Sequence, residues 1–299
     1  MNTPRSAPTP ERILQRLDWQ VIRRLDGLLQ GDYRSLFYGY GLDFADVREY
    51  QPEDDIRYID WNVTARMNAP YVRQYVEDRE ITAWFLLDLS PSMDFGPVER
   101  QKRTVLIDVV TTLARLLTRH GNRVGAVLYG SRVERMIPAR GGRLHVLRLV
   151  NDLLKQPLGA QASFTSLTPL LEAGLHTIKQ RALVFIISDF ISAPGWERPM
   201  SVLNRRHDVI AIRLWDSREV ELPDLGLILM EDAETGEQIY VDTRDTQFRQ
   251  RFHEAARQRE AALSTAFKRA GVDALSLSTE EDLVRAIVRF ANLRRQRRT

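Results

Sequence analysis

Residues 81–96, "ITAWFLLDLSPSMDFG", begin as an apolar run and change at Asp88 into hydroxyls, a proline and acids. The apolar half, 81–88, is almost continuous. A short run that is apolar on both faces is typical of a parallel strand covered by helices on both sides. Two further runs of this kind follow at 182–188 and 208–214. Together the three runs predict the central strands of an open, mainly parallel α/β sheet.

Helical patterns separate these strands. Apolar residues recur three or four positions apart, which is typical of amphipathic helices. The predicted helices cover about residues 98–119, 144–155, 167–179 and 245–270. Between the first two, "RVGAVLYGSRVERMIPA" predicts two shorter strands joined at Gly130-Ser131, so that one antiparallel strand lies at a sheet edge.

The last third of the chain carries a second hairpin pattern. Strand-like runs flank "AETGE", and Gly236 is expected to supply the turn of a hairpin that decorates the sheet edge. A short strand "DALSLS" follows, and then a last helix. That helix is expected to open with a capping box at Thr279–Asp282.

These patterns divide the chain into three parts. Residues 1–77 contain one helix at about 10–29 and then a stretch that is rich in tyrosine, arginine and acids and poor in aliphatics. That stretch is expected to form a mostly irregular wrap around the α/β domain. The α/β domain covers 78–280, with the hairpin inserted near 226–242, and residues 281–299 form a C-terminal helix with a basic tail.

Composition narrows the class of protein. Of the 299 residues, 43% are hydrophobic and 28% charged, which is typical of a folded globular protein. The absence of cysteine excludes disulfides, thiolate catalysis and cysteine-ligated zinc. No apolar run approaches the roughly 18 residues of a membrane span, and the first residues lack the apolar core of a signal peptide. We therefore expect a cytoplasmic protein.

The basic tail "LRRQRRT" suggests a nucleic-acid-binding protein as one alternative function. The formal net charge is only +3, however, and basic residues at a helix end are usually solvated and favoured by the helix dipole. We therefore expect no nucleic-acid partner. The five histidines are scattered, with no pair at the spacing of a zinc-binding helix.

Polar side chains follow two of the predicted central strands. Asp88 ends the first strand, and Asp189 follows the second. Because the carboxyl ends of parallel strands meet at one edge, both carboxylates are expected in one crevice. Pro91 fixes a tight turn, so that the hydroxyls of Ser90 and Ser92 can face the same point as Asp88. Such oxygen donors suit Mg²⁺, Mn²⁺ or Ca²⁺ and not zinc or copper.

A simpler interpretation assigns these residues to helix capping. Aspartate and serine are common caps in the loops between strands and helices. On this interpretation Ser92 or Asp94 caps the helix predicted at 98, and Asp189 caps the next helix.

The three loops resemble the metal-ion-dependent adhesion site of von Willebrand factor A-like domains. That motif has Asp-x-Ser-x-Ser after the first strand, a threonine that opens a later helix and an aspartate after the next central strand. On this resemblance the site residues are Asp88, Ser90, Ser92, Thr165 and Asp189. The threonine usually follows two glycines, whereas here it follows Ser163-Phe164, and Ser163, Ser166 and Thr168 remain alternatives for its role.

Most of the chain, from about residue 30 to 292, resembles the bacterial domain-of-unknown-function family number 58. The family's signature motifs occur here in order. They contribute Arg48, Tyr50, Asp54, Arg57, Asp60, Trp61 and Arg66. Two interpretations stay open for these residues. Either their ion pairs pin the wrap to the domain, with Tyr50 and Trp61 as packing, or they form a second binding surface.

The resemblance implies a non-enzymatic protein-interaction module. In such sites the serines and the threonine bind the ion directly, the aspartates act largely through water, and an acidic residue of a partner completes the coordination. Members of the family resemble partners of MoxR-type AAA+ ATPases. The implied role is an adaptor or co-chaperone that couples such an ATPase to a client.

A metal-dependent phosphoryl hydrolase is the other alternative. Haloacid-dehalogenase-like phosphatases also place an aspartate at the end of the first strand, but they need a second aspartate two residues later as general acid. That position holds Ser90. The sequence also lacks a phosphate-binding Gly-x-x-x-x-Gly-Lys loop and a Gly-x-Ser-x-Gly elbow, so we expect no enzymatic activity.

Overall fold

The computed structural model describes the greater part of the chain. The described residues are 9–28, 47–52, 54, 56, 59–67, 69–73, 81–97, 100–157, 165–232 and 235–298. Arg57 and Ser163 lie outside them. None of the helices in these ranges combines the length and the apolar character needed to cross a bilayer.

The N-terminal segment is helical from Pro10 to Leu28, but it changes pitch once. A π-helical turn, Asp18–Ile22, separates α1 (Pro10–Leu17) from α2 (Arg23–Leu28). The side chain of Thr9 caps α1 by accepting a hydrogen bond from the backbone N–H of Arg12. The apolar face of the segment lies in the same core as one side of the main sheet; its buried residues are Ile13, Leu14, Leu17, Val21, Ile22 and Leu25.

Three short elements follow in the signature region. They are β1 (Val47–Glu49), α3 (Trp61–Met67) and β2 (Tyr71–Arg73). β1 and β2 pair antiparallel in a two-stranded sheet of their own. The backbone N–H of Asp60, just before α3, donates to the carbonyl of Tyr71 at 2.7 Å and so holds the helix beside β2.

The centre of the molecule is a six-stranded sheet. The remaining strands of the chain are β3 (Thr82–Asp88), β4 (Arg123–Tyr129), β5 (Val133–Arg140), β6 (Leu183–Ser188), β7 (Asp208–Trp215), β8 (Leu227–Glu231), β9 (Gln238–Asp242) and β10 (Asp273–Ser278). The order in the main sheet is β10-β7-β6-β3-β4-β5, and β5 is its antiparallel edge strand. This architecture confirms the predicted open, mainly parallel α/β sheet with its strands at the predicted places.

Helices cover both faces of this sheet, as predicted. They are α4 (Lys102–Arg119), α5 (Arg143–Leu154), α6 (Thr168–Thr177), α7 (Glu197–Arg206), α8 (Thr246–Ala270) and α9 (Leu283–Arg298). Alternate residues of β3 face opposite cores: Phe85 and Leu87 pack with α1, α4, α5 and α9, whereas Leu86 packs with α6, α7 and α8. The apolar run at 81–88 is continuous because its side chains pack alternately into two cores.

Strands β8 and β9 form the predicted hairpin, with φ of +72° at Gly236 in the turn. Within the described residues the two strands pair with each other and do not extend the main sheet. Leu227, Leu229 and Tyr240 are exposed, and the strand register places them on one face. From Glu219 to Asp242 the sequence has eight acidic residues and no lysine or arginine. The hairpin thus presents an apolar strip in acidic surroundings.

The predicted capping box at Thr279 is wrong. The last helix, α9, begins at Leu283, and Asp282 is its cap, because its Oδ1 accepts the backbone N–H of Arg285 at 3.0 Å. Thr279 is buried and donates its hydroxyl to Asp216 Oδ2 at 2.6 Å. A tertiary hydrogen bond therefore uses the hydroxyl that the local motif assigned to a cap.

A buried arginine ties α9 to the main sheet. The side chain of Arg294 is 1% exposed and forms ion pairs with Asp208, which begins β7, and with Asp273, which begins β10. The distance from Arg294 Nε to Asp273 Oδ2 is 2.9 Å. A buried charge of this kind is tolerated only with partners of opposite charge.

We expect Arg294→Met to lower the free energy of unfolding by about 3 to 5 kcal/mol, because two part-buried carboxylates would lose their guanidinium. Arg289→Met is the matched control, since Arg289 forms an exposed pair with Glu281, of a kind worth about 1 kcal/mol or less. Urea titrations followed by circular dichroism measure both values. Equal losses in the two variants would contradict the role given to Arg294.

Candidate metal-binding site

The first loop of the site leaves the carboxyl end of β3. Asp88 is the last residue of the strand, and its Oδ1 accepts the backbone N–H of Ser90 at 3.0 Å. Pro91 opens a short 3₁₀ turn, which brings Ser90 Oγ and Ser92 Oγ to 3.1 Å from each other. The loop therefore gathers one carboxylate and two hydroxyls, as the sequence predicted.

The second loop leaves β6 and is bonded directly to the first. Ser188 Oγ donates to Asp88 Oδ2 at 2.7 Å and accepts the backbone N–H of Phe190 at 2.8 Å. Asp189 Oδ1 accepts the backbone N–H of Ile191 at 2.9 Å. The two strand ends thus form one hydrogen-bonded unit, and Ser188, which the sequence analysis did not single out, joins them.

A strained residue follows Asp189. Phe190 has a φ of +57°, a left-handed conformation that is unfavourable for a bulky side chain. Its ring is buried and packs on Trp196 and Phe267, with centroid distances of 5.5 and 4.9 Å. This aromatic packing holds the backbone turn that presents Asp189 to Asp88.

The third loop carries Thr165, which is buried and comes just before α6. Its backbone carbonyl accepts the N–H of Ala193 at 2.9 Å, and the N–H of Leu167 donates to Ser192 Oγ at 2.9 Å. These bonds tie the third loop to the loop that follows Asp189. Hydrogen bonds therefore join Asp88, Ser90 and Ser92 to Ser188, the chain neighbour of Asp189, and the backbone carbonyl of Thr165 is bonded to the loop that follows Asp189.

The site is more enclosed than an interaction motif on exposed loops would be. Asp88, Ser90, Ser92, Thr165 and Asp189 are all buried, with residue exposures of 0 to 7%. Asp88, Ser90, Ser92 and Asp189 lie at the carboxyl ends of β3 and β6, which are the two central strands of the sheet, and Thr165 lies just before α6.

The helix-cap interpretation is wrong for the residues concerned. Helix α4 begins at Lys102, later than predicted, and its N-cap residue Gln101 makes no side-chain capping bond. Asp94 instead pairs with Arg103 at 2.5 Å. Asp189 closes a local turn at Ile191, well before α7 begins at Glu197.

Lys102 is the residue that the sequence analysis missed. Its side chain is fully buried, and Nζ donates to Asp189 Oδ2 at 2.7 Å and to Glu219 Oε1 at 2.5 Å. Burial lowers the pKa of Lys102, but the charges of Asp189 and Glu219 outweigh burial and hold that pKa above its ordinary value. Lys102 lies three and four residues before Val105 and Leu106, on the apolar face of the helix. This spacing could have indicated from the sequence that the lysine is buried.

A polar network continues from this lysine across the sheet. Glu219 Oε2 accepts the backbone N–H of Asp216 at 3.0 Å, and Asp216 is itself buried at the end of β7. Asp216 then accepts the hydroxyl of Thr279, which follows β10. The network therefore spans the carboxyl ends of β3, β6, β7 and β10.

Burial is the main electrostatic influence on Asp88. Burial, followed by the negative charge of Asp189, raises the pKa of Asp88 to about 6, although hydrogen bonds from Ser188 and Ser90 oppose this shift. A cation beside the two carboxylates would favour their charged forms.

The donor geometry fits a small divalent cation. With metal–oxygen distances of about 2.1 Å, neighbouring ligands of an octahedral Mg²⁺ lie about 3.0 Å apart, close to the 3.1 Å between Ser90 Oγ and Ser92 Oγ. The longer bonds of Ca²⁺ would need a wider spacing. The described residues contain no group of three histidine, aspartate or glutamate side chains able to hold a metal, so a cation here would depend on the hydroxyls.

The signature residues form a separate cluster. Arg48 donates to both carboxylate oxygens of Asp54, at 2.7 and 2.5 Å, and this hydrogen bonding lowers the pKa of Asp54. The backbone N–H of half-buried Tyr50 donates to the carbonyl of Pro70 at 2.7 Å. The Arg48–Asp54 pair thus joins two residues of the same segment and does not connect that segment to the sheet.

The second half of the signature surrounds α3. Asp60 is buried and caps the helix, with Oδ1 accepting the backbone N–H of Val63 at 3.3 Å. Trp61 is 71% exposed and Arg66 is exposed. The expectation that Trp61 serves as packing is therefore wrong.

Comparison with protein families matches residues 46–262 to the family described as "Protein of unknown function DUF58". "Uncharacterized protein Rv1480" of Mycobacterium tuberculosis is 36% identical over 286 residues, which cover 95% of this chain and 89% of the relative. "Uncharacterized protein MAV169" of Mycobacterium avium is 35% identical over 163 residues, which cover 54% of this chain and 94% of the relative.

Two solved structures resemble the chain at 12% identity. One is the conserved hypothetical protein BatB from Bacteroides thetaiotaomicron, with a TM-score of 0.45 over 72% of this chain and 99% of that one. The other is an aerotolerance-related membrane protein from Bacteroides fragilis, with a TM-score of 0.45 over 73% of this chain and 99% of that one.

The raised pKa of Asp88 predicts an unusual pH dependence in EDTA. Its pKa is about 6 in the folded protein and 3.8 in a model peptide, so ionisation between these values costs the folded state stability as pH rises. At about 1.4 kcal/mol per pKa unit, Asp88→Asn should gain roughly 2 to 3 kcal/mol relative to wild type between pH 4 and pH 7.5.

Urea titrations at the two pH values measure this difference. Asp242→Asn is the control, because a hydrogen bond from Arg244 lowers the pKa of Asp242, and its loss should bring no such gain. A pH-independent difference between Asp88→Asn and wild type would show that Asp88 is not destabilised by its burial.

Proposed function

The chain belongs to the family described as "Protein of unknown function DUF58", and we propose that it is a non-enzymatic, metal-dependent protein-interaction module. The observation that carries this proposal is the cluster of Asp88, Ser90 and Ser92, bonded through Ser188 to the loop of Asp189. This cluster supports a site for Mg²⁺, or Mn²⁺ in its place, in which Thr165 supplies a further hydroxyl.

The charge balance of the site favours a partner carboxylate. Two hydroxyls and one carboxylate on the first loop neutralise only part of a divalent charge, and Lys102 already offsets the charge of Asp189. A bound cation would therefore remain electrophilic and would attract a further acidic oxygen. We therefore propose that an acidic side chain of a partner completes the coordination of the ion at the carboxyl edge of the sheet.

Ser90 and Lys102 disfavour the hydrolase alternative. The general acid of a phosphatase would have to occupy position 90, where a serine hydroxyl lies against Ser92. Lys102, a cationic group that could stabilise a phosphoryl transition state, is bound to Asp189 and Glu219. We therefore propose that the site binds and does not turn over a phosphoryl substrate.

A MoxR-type AAA+ ATPase is the partner that we propose, on the family resemblance. Such an ATPase would supply the acidic residue, and the present chain would act in the cytoplasm as an adaptor or co-chaperone between the ATPase and a client protein. The exposed Trp61 and Arg66 of the signature region offer a second contact surface for the same complex.

The double variant Ser90→Ala with Ser92→Ala should abolish magnesium-dependent capture of a MoxR-type AAA+ ATPase. The thermal midpoint should change little, because Asp88 keeps its hydrogen bonds from the backbone N–H of residue 90 and from Ser188 Oγ. Ser131→Ala, at an exposed turn, is the matched control. Capture by the double variant in EDTA would contradict the metal bridge.

A second test addresses catalysis. Wild-type protein should not hydrolyse p-nitrophenyl phosphate or ATP above a blank with Mg²⁺, Mn²⁺ or Ca²⁺, since position 90 lacks a carboxylic acid. Release of p-nitrophenol or phosphate measures the rate. If turnover persists through repurification and disappears in Asp88→Asn, the protein is a phosphoryl hydrolase and the proposed non-enzymatic function is wrong.

A further inference from the structure

We propose that Lys102 and Glu219 set the affinity of the Asp88 site for divalent cations, with Lys102 weakening and Glu219 strengthening cation binding. This inference rests on the proposed metal dependence and concerns residues outside the adhesion-site motif. It also assigns a role to the segment after β7, which that motif does not include.

The position of the ammonium group is fixed by its surroundings. Lys102 is the first residue of α4, its side chain is fully buried, and two carboxylates hold Nζ at 2.7 and 2.5 Å. The centroid of the Phe95 ring lies 5.7 Å from Nζ. The charge is therefore a permanent component of the site and is not free to move into solvent when a cation enters.

The contact with Asp189 determines the sign of the effect. One oxygen of Asp189 is occupied by Lys102, and the other accepts the backbone N–H of Ile191. The ammonium thus neutralises a carboxylate that would otherwise attract the cation, and it also repels the cation directly. Both effects weaken cation binding.

Glu219 acts in the opposite direction. It is held by Asp216 on one side and by Lys102 on the other, and it offsets the charge of the ammonium. The four groups Asp88, Asp189, Glu219 and Lys102, taken as ionised with a cation bound, carry a net charge of −2. Removing Lys102 makes this charge −3, and neutralising Glu219 makes it −1.

Opposite changes in Mg²⁺ affinity in two variants distinguish an electrostatic role of Lys102 and Glu219 from a structural one. Lys102→Met keeps the length of the side chain and should tighten Mg²⁺ binding by at least about tenfold, whereas Glu219→Gln should weaken it by a similar factor. A purely structural role would make both variants bind more weakly. Isothermal titration calorimetry measures the affinities, and the rise in thermal midpoint with added Mg²⁺ provides a second readout.

The double variant Lys102→Met with Glu219→Gln restores the net charge of −2 without either original side chain. It should bind Mg²⁺ within about threefold of wild type if charge and not contact decides the affinity. Compared with Lys102→Met alone, it leaves only Asp189, and not Glu219 as well, without the ammonium group, so it keeps the test decisive if Lys102→Met fails to fold. Lys268→Met, at an exposed position of α8, is the control and should match wild type.

The outcomes distinguish this inference from the proposed function. Wild type that binds Mg²⁺ no better than Asp88→Ala would overturn the metal site and this inference with it. A second outcome would overturn this inference alone. In that outcome wild type binds Mg²⁺ specifically, but Lys102→Met binds no more tightly than wild type, or the double variant binds no more tightly than Glu219→Gln.

Discussion

The carboxyl edge of the sheet is organised around buried carboxylates. Asp88 ends β3, Asp189 and Asp216 directly follow β6 and β7, and all three are buried. Charged groups are tolerated there only if they receive hydrogen bonds or opposite charges. Ser188 and Lys102 meet that requirement for Asp88 and Asp189. The loops at this edge are therefore fixed by electrostatics as much as by apolar packing.

Packing on the face of the sheet that α6, α7 and α8 cover also shapes this edge, through Phe190. A left-handed φ at a bulky residue costs about 1 to 3 kcal/mol and persists only where packing compensates. The compensation comes from Trp196, which lies at the start of α7, and from Phe267 in α8. The precision of the site thus depends on helices that contribute no donor atom to it.

The sequence predicted those parts of the structure that depend on local or periodic patterns. The apolar runs located the central strands, and the Asp-x-Ser-x-Ser spacing located the donors that the structure joins through Ser188. The sequence did not predict the ion pair of Lys102 and Glu219, because the two positions are 117 residues apart and a lysine at a helix start usually faces solvent. The capping box predicted at Thr279 was wrong for the same reason, since the buried partner of its hydroxyl, Asp216, lies 63 residues earlier. The left-handed conformation of Phe190 follows from tertiary packing and has no sequence signature.

The outward face of the β8–β9 hairpin combines exposed apolar side chains with acidic surroundings. Exposed strands with apolar side chains such as Leu229 and Tyr240 favour edge-to-edge pairing between molecules. The eight acidic residues from Glu219 to Asp242 give every copy the same local charge, and their repulsion acts over about 8 Å at physiological ionic strength. The local repulsion between hairpins is therefore strongest at neutral pH and low salt. Acidification or concentrated salt weakens this local repulsion and leaves the apolar strip less protected from contact with a second copy.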